Sequence, residues 1–298
     1  MADKVTGRAR EERRLAWMLV APSVIVMVLV TGYPVVYAIY LSLQKYDLRF
    51  PNDKKFVGLS NYTDVLGSST WWTDVFNTMV ITVCSVAIEL VLGMLIALVM
   101  HRAIFGRGPV RAAILIPYGI VTVVAAFAWR YAFNPGTGFV QHLPLVSGTA
   151  NPLGSRGGSF LVIVLTEVWK TTPFMALLLL AGLALVPDEL HEAARVDGAS
   201  VMQRFFRITI PLMRPAIIVA LLFRTLDAFR VFDSVFIMTR GANDTETVSI
   251  LGYNVLINRV NLGLGSAVSV LIFFAVILIA MFFVKVLGAS TAQQTGEA

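Results

Sequence analysis

Glu192-Ala-Ala-Arg-Val-Asp-Gly198, separated by nine residues from Ile208-Thr-Ile-Pro211, forms a polar island between two long apolar runs. These flanking runs lie near 160–186 and 214–238. Each is longer than the about 20 residues with which a helix crosses the hydrocarbon layer of a bilayer. A helix is stable there because it satisfies its own backbone hydrogen bonds. The island is therefore predicted to lie at a membrane surface.

Four more apolar runs give the same signal, near 16–42, 77–100, 110–133 and 263–287. Hydrophobic residues make up 57% of the chain and charged residues 14%, whereas about 25% is typical of soluble domains. We expect an all-α polytopic membrane protein with six transmembrane helices. The first run is predicted to be a retained helix, because no small-residue cleavage site followed by a mature domain is evident.

The runs divide the chain into four parts. We expect a basic N-terminal tail at 1–14 and a first transmembrane helix with an external loop at 15–76. A core of five transmembrane helices follows at 77–287, with the island helix at about 188–198. The tail at 288–298 is small and polar, which predicts disorder.

Basic residues are unequally distributed between the two sides of the predicted membrane. Cytoplasmic segments carry the excess of Lys and Arg in membrane proteins, so both termini and the island are predicted to be cytoplasmic. Orientation and anionic lipid also explain the net charge of +6, so no nucleic-acid partner is expected. The richer side carries Lys4, Arg8, Arg10, Arg13, Arg14, Arg102, Arg107, Arg111, Arg195, Arg204, Arg207, Arg214 and Lys285, and the other side carries Lys45, Arg49, Lys54, Lys55, Arg156, Arg240 and Arg259.

The island itself predicts two short helices. Asp188 suits the N-cap of the first, and Gly198 suits the left-handed position that ends it. Ser200 and Gln203 form a capping-box pattern at the start of the second, which Pro211 should end or kink. Taken alone, these features also fit an ordinary loop helix.

Charged residues recur inside two of the predicted spans. Arg224, Asp227, Arg230 and Asp233 alternate in sign every three residues, and Glu167 with Lys170 repeats that spacing. A charge at the bilayer centre costs about 2.5 to 3.5 kcal/mol on insertion scales, so these residues need partners or water. Two interpretations remain open: a ladder of i, i+3 ion pairs, or the wall of a wet cavity.

Motifs for catalysis and metal binding are absent from the sequence. None of the six lysines ends a G-x4-G-K-S/T phosphate loop, and there is no Ser-His-Asp, HExxH or cysteine-rich pattern. The single Cys84 has no companion ligand, and the three histidines are isolated in sequence. We expect no enzymatic activity, no metal and no bound cofactor in this chain.

The island matches the spacing E-A-A-x3-G-x9-I-x-L-P, with Ile210 in place of Leu. In this it resembles the permeases of binding-protein-dependent ABC importers. Further stretches are similar to the carbohydrate-uptake, maltose-permease-like branch: Phe56 to Leu59, Asn61-Tyr62, Asn77-Thr78, Leu90 to Gly93, Pro117, Trp129 and Gly138. The resemblance implies that the island is a coupling helix that inserts into an ATPase subunit. The coupling residues would be Glu192, Ala193, Ala194, Arg195, Asp197, Gly198, Ile208 and Pro211.

The same resemblance implies the rest of an importer in a bacterial cell membrane. Its partners would be a second homologous permease, an ATPase dimer that binds ATP and Mg²⁺, and an external solute-binding lipoprotein. The solute would be a carbohydrate, such as the disaccharide trehalose. Other oligosaccharides, glycerol phosphate or a polyol are alternatives, as are an ion-driven secondary transporter and a non-transporting scaffold.

A sugar path needs aromatic faces for C–H surfaces and fixed polar groups for hydroxyls. Trp129 and Phe232 have suitable chemistry. The candidate pathway residues are Tyr118, Glu167, Trp169, Lys170, Asp227, Phe229, Arg230, Asp233, Tyr253 and Asn254.

Overall fold

A computed structural model describes residues 7–102, 107–142 and 151–295, and helices dominate this part of the chain. In chain order the elements are α1 (Gly7–Met27), a π-helical turn (Val28–Gly32), α2 (Tyr33–Ser42), β1 (Gln44–Lys45), a 3-10 turn (Pro51–Asp53), β2 (Lys55–Phe56), α3 (Ser60–Leu66), α4 (Ser69–Arg102), α5 (Arg107–Gly119), α6 (Thr122–Ala132), 3-10 turns (Phe139–His142 and Pro152–Gly154), α7 (Arg156–Leu183), α8 (Asp188–Val196), α9 (Val201–Arg204), a π-helical turn (Phe205–Thr209), α10 (Ile210–Ala228), α11 (Asp233–Met238), α12 (Val248–Tyr253), a π-helical turn (Asn254–Asn258) and α13 (Leu262–Thr295).

Five stretches of helix are long and apolar enough to cross a membrane. They are Glu12–Ser42, Ser69–His101, Arg156–Leu183, Val201–Met238 and Leu262–Val286. Each overlaps a predicted span, so the all-α membrane fold is confirmed. Helix α13 runs on to Thr295, so residues 288–295, expected to be disordered, are helical. Alanine and glutamine in this stretch are good helix formers.

The third predicted span, 110–133, is not one straight helix. The segments Ala112–Gly119 and Thr122–Ala132 meet at an angle of 93°, and they complete a sixth span only if the bent pair crosses as one unit. Pro117 in the last turn of α5 disfavours continuation, and Gly119 ends the helix. A hydrogen bond from Ile120 N to Pro117 O closes the turn.

The first of two compact units contains residues 1–66 and 254–271. No residue in the most apolar 18-residue window of Glu12–Ser42 is buried. Strands β1 and β2 form an antiparallel hairpin with Gln44 opposite Phe56. The Asn61 side chain donates to the carbonyls of Ser42 and Gln44, at 2.8 Å each, and so ties α3 to the hairpin.

Ion pairs also stabilise the loop of this hairpin. Arg49 donates to both carboxylate oxygens of Asp47, and this hydrogen bonding lowers the pKa of Asp47. Lys45 and Lys55 pair with Asp53 and lower its pKa in the same way. All these groups are at least partly exposed, so each pair stabilises the loop only slightly.

The second unit contains residues 67–253 and 272–298, and its core lies between α4, α7 and α10. Glycines allow the helices to approach closely: a Cβ at Gly93 would lie 2.8 Å from Met175 Cγ, and one at Gly182 would overlap Ala216 Cβ. Helix α7 stays continuous through Pro173, although a proline inside a helix removes one backbone hydrogen bond and can break the helix.

Candidate functional site

Two short helices form the polar island, as its caps predict. Helix α8 ends before Gly198, which has φ of +78°, and Ala199 N donates to Ala194 O at 2.9 Å. At the start of α9, Gln203 N donates to Ser200 Oγ, and Ser200 N donates to Gln203 Oε1. The capping box and the glycine turn are confirmed. Asp188 is not the N-cap, because Pro187 takes that position and Asp188 starts the helix.

The second island helix does not end at Pro211. A π-helical turn at Phe205–Thr209 precedes the proline, which lies in the first turn of α10. The wider π turn leaves backbone carbonyls without the usual partner, so the missing N–H of proline is accommodated. The chain is thus helical from the island into the predicted fifth span.

The island helix α8 presents side chains to solvent rather than to this chain's core. No residue of α8 is buried, and Val196 is 88% exposed. Glu192, Ala193, Arg195, Asp197, Gly198 and Pro211 are exposed, while Ala194 and Ile208 are half-buried. Glu192 and Arg195, at the spacing of an i, i+3 pair, form no ion pair within the described residues. An exposed helix with small residues at its centre can dock into another protein's groove.

Inside the second unit, one guanidinium joins carboxylates from three helices. Arg224 donates to Glu89 of α4 through Nε at 2.5 Å and Nη2 at 3.0 Å. It also donates to Glu167 Oε2 of α7 at 3.1 Å and to Asp227 Oδ2 of α10 at 2.7 Å. The second oxygen of Glu167 accepts from Ser234 Oγ at 2.6 Å. We call these groups the Arg224 cluster.

A polar cavity of about 420 Å³ adjoins the Arg224 cluster. Lys170 lies with its Nζ 5.5 Å from the centre of the Tyr118 ring. Six of the candidate pathway residues share its wall with an apolar ring, a valine and two threonines. The lining residues are Tyr118, Thr122, Glu167, Lys170, Thr171, Asp227, Arg230, Val231, Phe232 and Asp233.

The predicted ladder of ion pairs is only partly present. Arg224 and Asp227 pair at i, i+3, but among the described residues Arg230 forms no ion pair with Asp233, nor Glu167 with Lys170. The reason is that α10 ends at Ala228 and α11 begins at Asp233. The break turns Arg230 and Asp233 toward the cavity instead of along one helix.

The other four candidate pathway residues do not line the cavity. Trp169 packs edge-on against Trp129, with ring centres 5.9 Å apart, and Phe229 is buried in packing. Tyr253 packs against Phe232 at 5.4 Å and therefore supports a lining ring. Asn254 belongs to the first unit, where its side-chain oxygen accepts from Asn258.

Glu89 was missed by sequence reasoning. It is a fully buried carboxylate, and it makes the bidentate pair with Arg224. Its signal was present, because a lone carboxylate within an apolar span is expensive and needs a partner. No spacing rule could name that partner, which lies 135 residues away. Within the described part of the chain, no group of His, Cys, Asp and Glu could hold a metal ion.

Comparisons with known proteins agree on the class of this fold. A family model described as "Binding-protein-dependent transport system inner membrane component" matches residues 66–293. The trehalose transport system permease protein SugA of Mycobacterium tuberculosis is 55% identical over 285 residues, covering 96% of this chain and 92% of the relative. The trehalose/maltose transport system permease protein MalF of Thermococcus litoralis is 38% identical over 291 residues, covering 96% and 98%.

A solved structure gives the same fold. A chain of a bacterial alginate ABC transporter, in complex with an alginate pentasaccharide-bound periplasmic protein, aligns with a TM-score of 0.79 at 18% identity. The alignment covers 94% of this chain and 96% of that one. At this identity the likeness concerns the fold alone.

Proposed function

This chain belongs to the family of binding-protein-dependent transport system inner membrane components, and from that membership we propose that it imports a disaccharide such as trehalose. It is a multi-pass membrane protein and a permease subunit of an ABC importer. The observation that carries the sugar assignment is the 55% identity to a trehalose permease over nearly the whole chain.

The cavity offers chemistry suited to a neutral sugar. Its volume of about 420 Å³ falls in the range of about 300–1,000 Å³ usual for small-molecule sites. Tyr118 and Phe232 offer ring faces for C–H surfaces, and the carboxylates of Asp227 and Asp233 can accept hydrogen bonds from hydroxyls. Lys170 and Arg230 can donate to sugar oxygens. The cavity would form one half of the path, with a second homologous permease supplying the other half.

The island is the proposed contact with the ATPase subunits. We propose that α8 and the turn at Gly198 dock into an ATPase dimer, which binds ATP and Mg²⁺ and performs the hydrolysis. The exposure of α8 and the open space around Gly198, where a Cβ would meet nothing within 4 Å, support this role. Closure of the dimer would then pull on α10 through the Gly198 turn and the helical segment that runs from α9 into α10.

We also propose an orientation in the membrane, on the basis of the charge distribution. The basic excess of the termini and of the island favours a cytoplasmic location for all three. An external solute-binding lipoprotein would then deliver the sugar from the other side. A reporter active only in the cytoplasm, fused after residue 298, should be active; activity of an exported reporter at the same position would reverse the assignment.

The central experiment identifies the partners and then the solute. The tagged chain is purified from gently solubilised native membranes, and its stoichiometric partners are identified by mass spectrometry. We expect a phosphate-loop ATPase, a second permease and a solute-binding lipoprotein. The purified complex in proteoliposomes should then take up radiolabelled trehalose only with ATP inside. Uptake that follows an ion gradient without an ATPase would contradict the proposal.

Gly198→Asp tests the coupling role in the same preparation. Aspartate tolerates positive φ better than most residues, so the turn itself should survive while bulk and charge enter the docking face. We expect normal insertion and loss of ATP-dependent uptake. Normal uptake by this variant would count heavily against the island as the coupling element.

A further inference from the structure

Arg224 and Glu89 lie behind the cavity without lining it. Their exposed fractions are 1% and 0%, and neither belongs to the cavity wall. The proposed function assigns no role to either residue. Burying two charges inside a membrane protein is costly, so their presence calls for a physical explanation.

The geometry of Arg224 fixes three carboxylates relative to one another. All three guanidinium nitrogens donate: Nε and Nη2 to Glu89, Nη2 to Glu167, and Nη1 to Asp227. The guanidinium is planar and its donors form a rigid fork, so a bidentate partner sets the orientation of the whole group. Glu89 is that bidentate partner, and its orientation therefore determines where Glu167 and Asp227 are held.

The cluster contains more acceptors than a structural ion pair needs. Three carboxylates surround one guanidinium, and the Asp227 side chain is 67% exposed, toward the cavity that it lines. Excess negative charge inside a membrane-spanning bundle is tolerated only where further donors meet it. The cavity contains such donors in Lys170 and Arg230, and a sugar would bring hydroxyls.

Glu89 is also tied to the cavity wall directly. Thr171 Oγ1, which belongs to a lining residue, donates to Glu89 Oε1 at 2.7 Å. The Ser234 hydroxyl donates to the other oxygen of Glu167. Each oxygen of Glu167 thus accepts one of these hydrogen bonds, and its second lone pair can accept from another donor. The buried pair thus connects to the wall at three residues: Glu167, Thr171 and Asp227.

We propose that Arg224 and Glu89 are positioning residues of the sugar path. Glu89 orients the guanidinium, and the guanidinium holds Glu167 and Asp227 so that their remaining lone pairs face the cavity. This rests on the proposed function in one respect, which is that the cavity is the path of the solute. The pair acts through its neighbours and touches no solute itself.

The test separates positioning from support of the fold. Glu89→Gln keeps the side-chain shape and leaves Arg224 paired with Glu167 and Asp227, whereas Arg224→Gln leaves three carboxylates without their shared cation. The double variant Glu89→Gln/Arg224→Gln removes one charge of each sign, so the net charge of the cluster is unchanged. The complex is assembled with its partners in proteoliposomes, and trehalose moved per ATP hydrolysed is measured. We expect assembly and stimulated ATP hydrolysis near those of the wild type, with a sugar-to-ATP ratio at least tenfold lower. A wild-type ratio in the double variant would overturn the inference.

Two further variants make every outcome decisive. Arg224→Lys keeps the charge but loses the fork, so we expect an assembled complex with a lowered ratio; a wild-type ratio would again overturn the inference. Asp74→Asn is the matched control, because Asp74 is buried on the same helix, about 22 Å of helix rise from Glu89. If the control assembles and neither cluster variant does, the pair only supports the fold and the inference is wrong.

The same measurement distinguishes this inference from the proposed function. A wild-type complex that hydrolyses ATP when the binding protein is added but moves no trehalose would contradict the proposed solute. A wild type that transports, beside cluster variants that transport with the same ratio, would contradict the positioning role alone.

Discussion

Asp227 is the residue at which the Arg224 cluster meets the cavity. One of its oxygens accepts from Arg224, and the side chain is largely exposed. In Asp227→Asn the shape is kept, but the attraction between opposite charges is lost, and Arg224 retains only a hydrogen bond to a neutral amide oxygen at this position. We expect trehalose uptake per assembled complex to fall about tenfold or more, measured as the initial rate with radiolabelled sugar.

Asp64→Asn is the control for this change. It makes the same carboxyl-to-amide replacement at an exposed position of α3 and should transport normally. Unchanged uptake by Asp227→Asn at equal assembled amounts would remove Asp227 from the proposed path.

At the scale of residues, the sequence predicted which charged side chains line the cavity better than it predicted their partners. Periodic charge in an apolar span singled out Glu167, Lys170, Asp227, Arg230 and Asp233. The pairing of Arg224 with Glu89 depends on how α4 packs against α10, and local spacing does not contain that information.

At the scale of elements, the contact between α7 and α10 depends on Gly182. A Cβ there would overlap Ala216, and overpacking of this kind typically costs about 1 to 3 kcal/mol. We expect Gly182→Val to lower the temperature at which the purified protein loses its monodisperse peak in detergent, by several degrees. Gly157→Val serves as the control, because nothing lies within 4 Å of its Cβ position. If both variants lose the monodisperse peak at the same temperature, the close approach of α7 and α10 at Gly182 does not limit the stability of the protein.

The hairpin of the first unit should respond to acid. The pKa values of Asp47 and Asp53 are lowered from 3.8 by their bonds to Arg49 and Lys45. Their stabilising contribution is therefore present above that value and is lost as the pH falls through the lowered pKa. The Val57 N–H reports on this hairpin, because it donates to Leu43 O at 2.9 Å. Because the ion pairs are exposed, we expect its hydrogen exchange at low pH, corrected for the intrinsic exchange rate, to be faster by a factor of no more than about five. Asp53→Asn should weaken this pH dependence; an unchanged profile would contradict the role of the pair.

The elements themselves were predictable where one local signal was strong. Long apolar runs predicted the spans, and Gly198 with the Ser200–Gln203 box predicted the island. The bend after Gly119, the break at 229–232 and the π-helical turn before Pro211 were not predicted. Each of these interruptions depends on how the local sequence packs against its neighbours. The apolar pattern of a span is the same with or without such an interruption, so the pattern does not predict it.

At the scale of the whole molecule, the first helix presents a large exposed apolar surface. No residue in the most apolar 18-residue window of Glu12–Ser42 is buried within the described part of the chain, so this surface is available to lipid or to the second permease that we propose. We expect coexpression with a homologous permease to increase the amount of monodisperse protein severalfold, measured by fluorescence-detected size exclusion. An unrelated polytopic protein should give no increase. An equal yield from the chain alone would show that the first helix needs no protein partner.

Composition and one motif were enough to predict the class of the whole molecule. The cavity was not predictable, because it forms where the bent pair α5 and α6, the continuous α7 and the break after α10 meet. Some of its lining residues, such as Tyr118 and Asp233, are more than a hundred positions apart in the sequence.

The Arg224 cluster also limits how this protein can evolve. Replacing Arg224 alone leaves the carboxylates of Glu89, Glu167 and Asp227 without their shared cation, and replacing one carboxylate alone removes a partner of the buried guanidinium. A protein with a single change of this kind should therefore be less fit than one with the original residues or with the matched replacements. Substitutions at these four positions should therefore be epistatic, appearing jointly in a lineage or not at all. Relatives with a neutral residue at the position of Arg224 should also have a neutral residue at the position of Glu89. We expect this covariation in lineages whose permease transports a different solute.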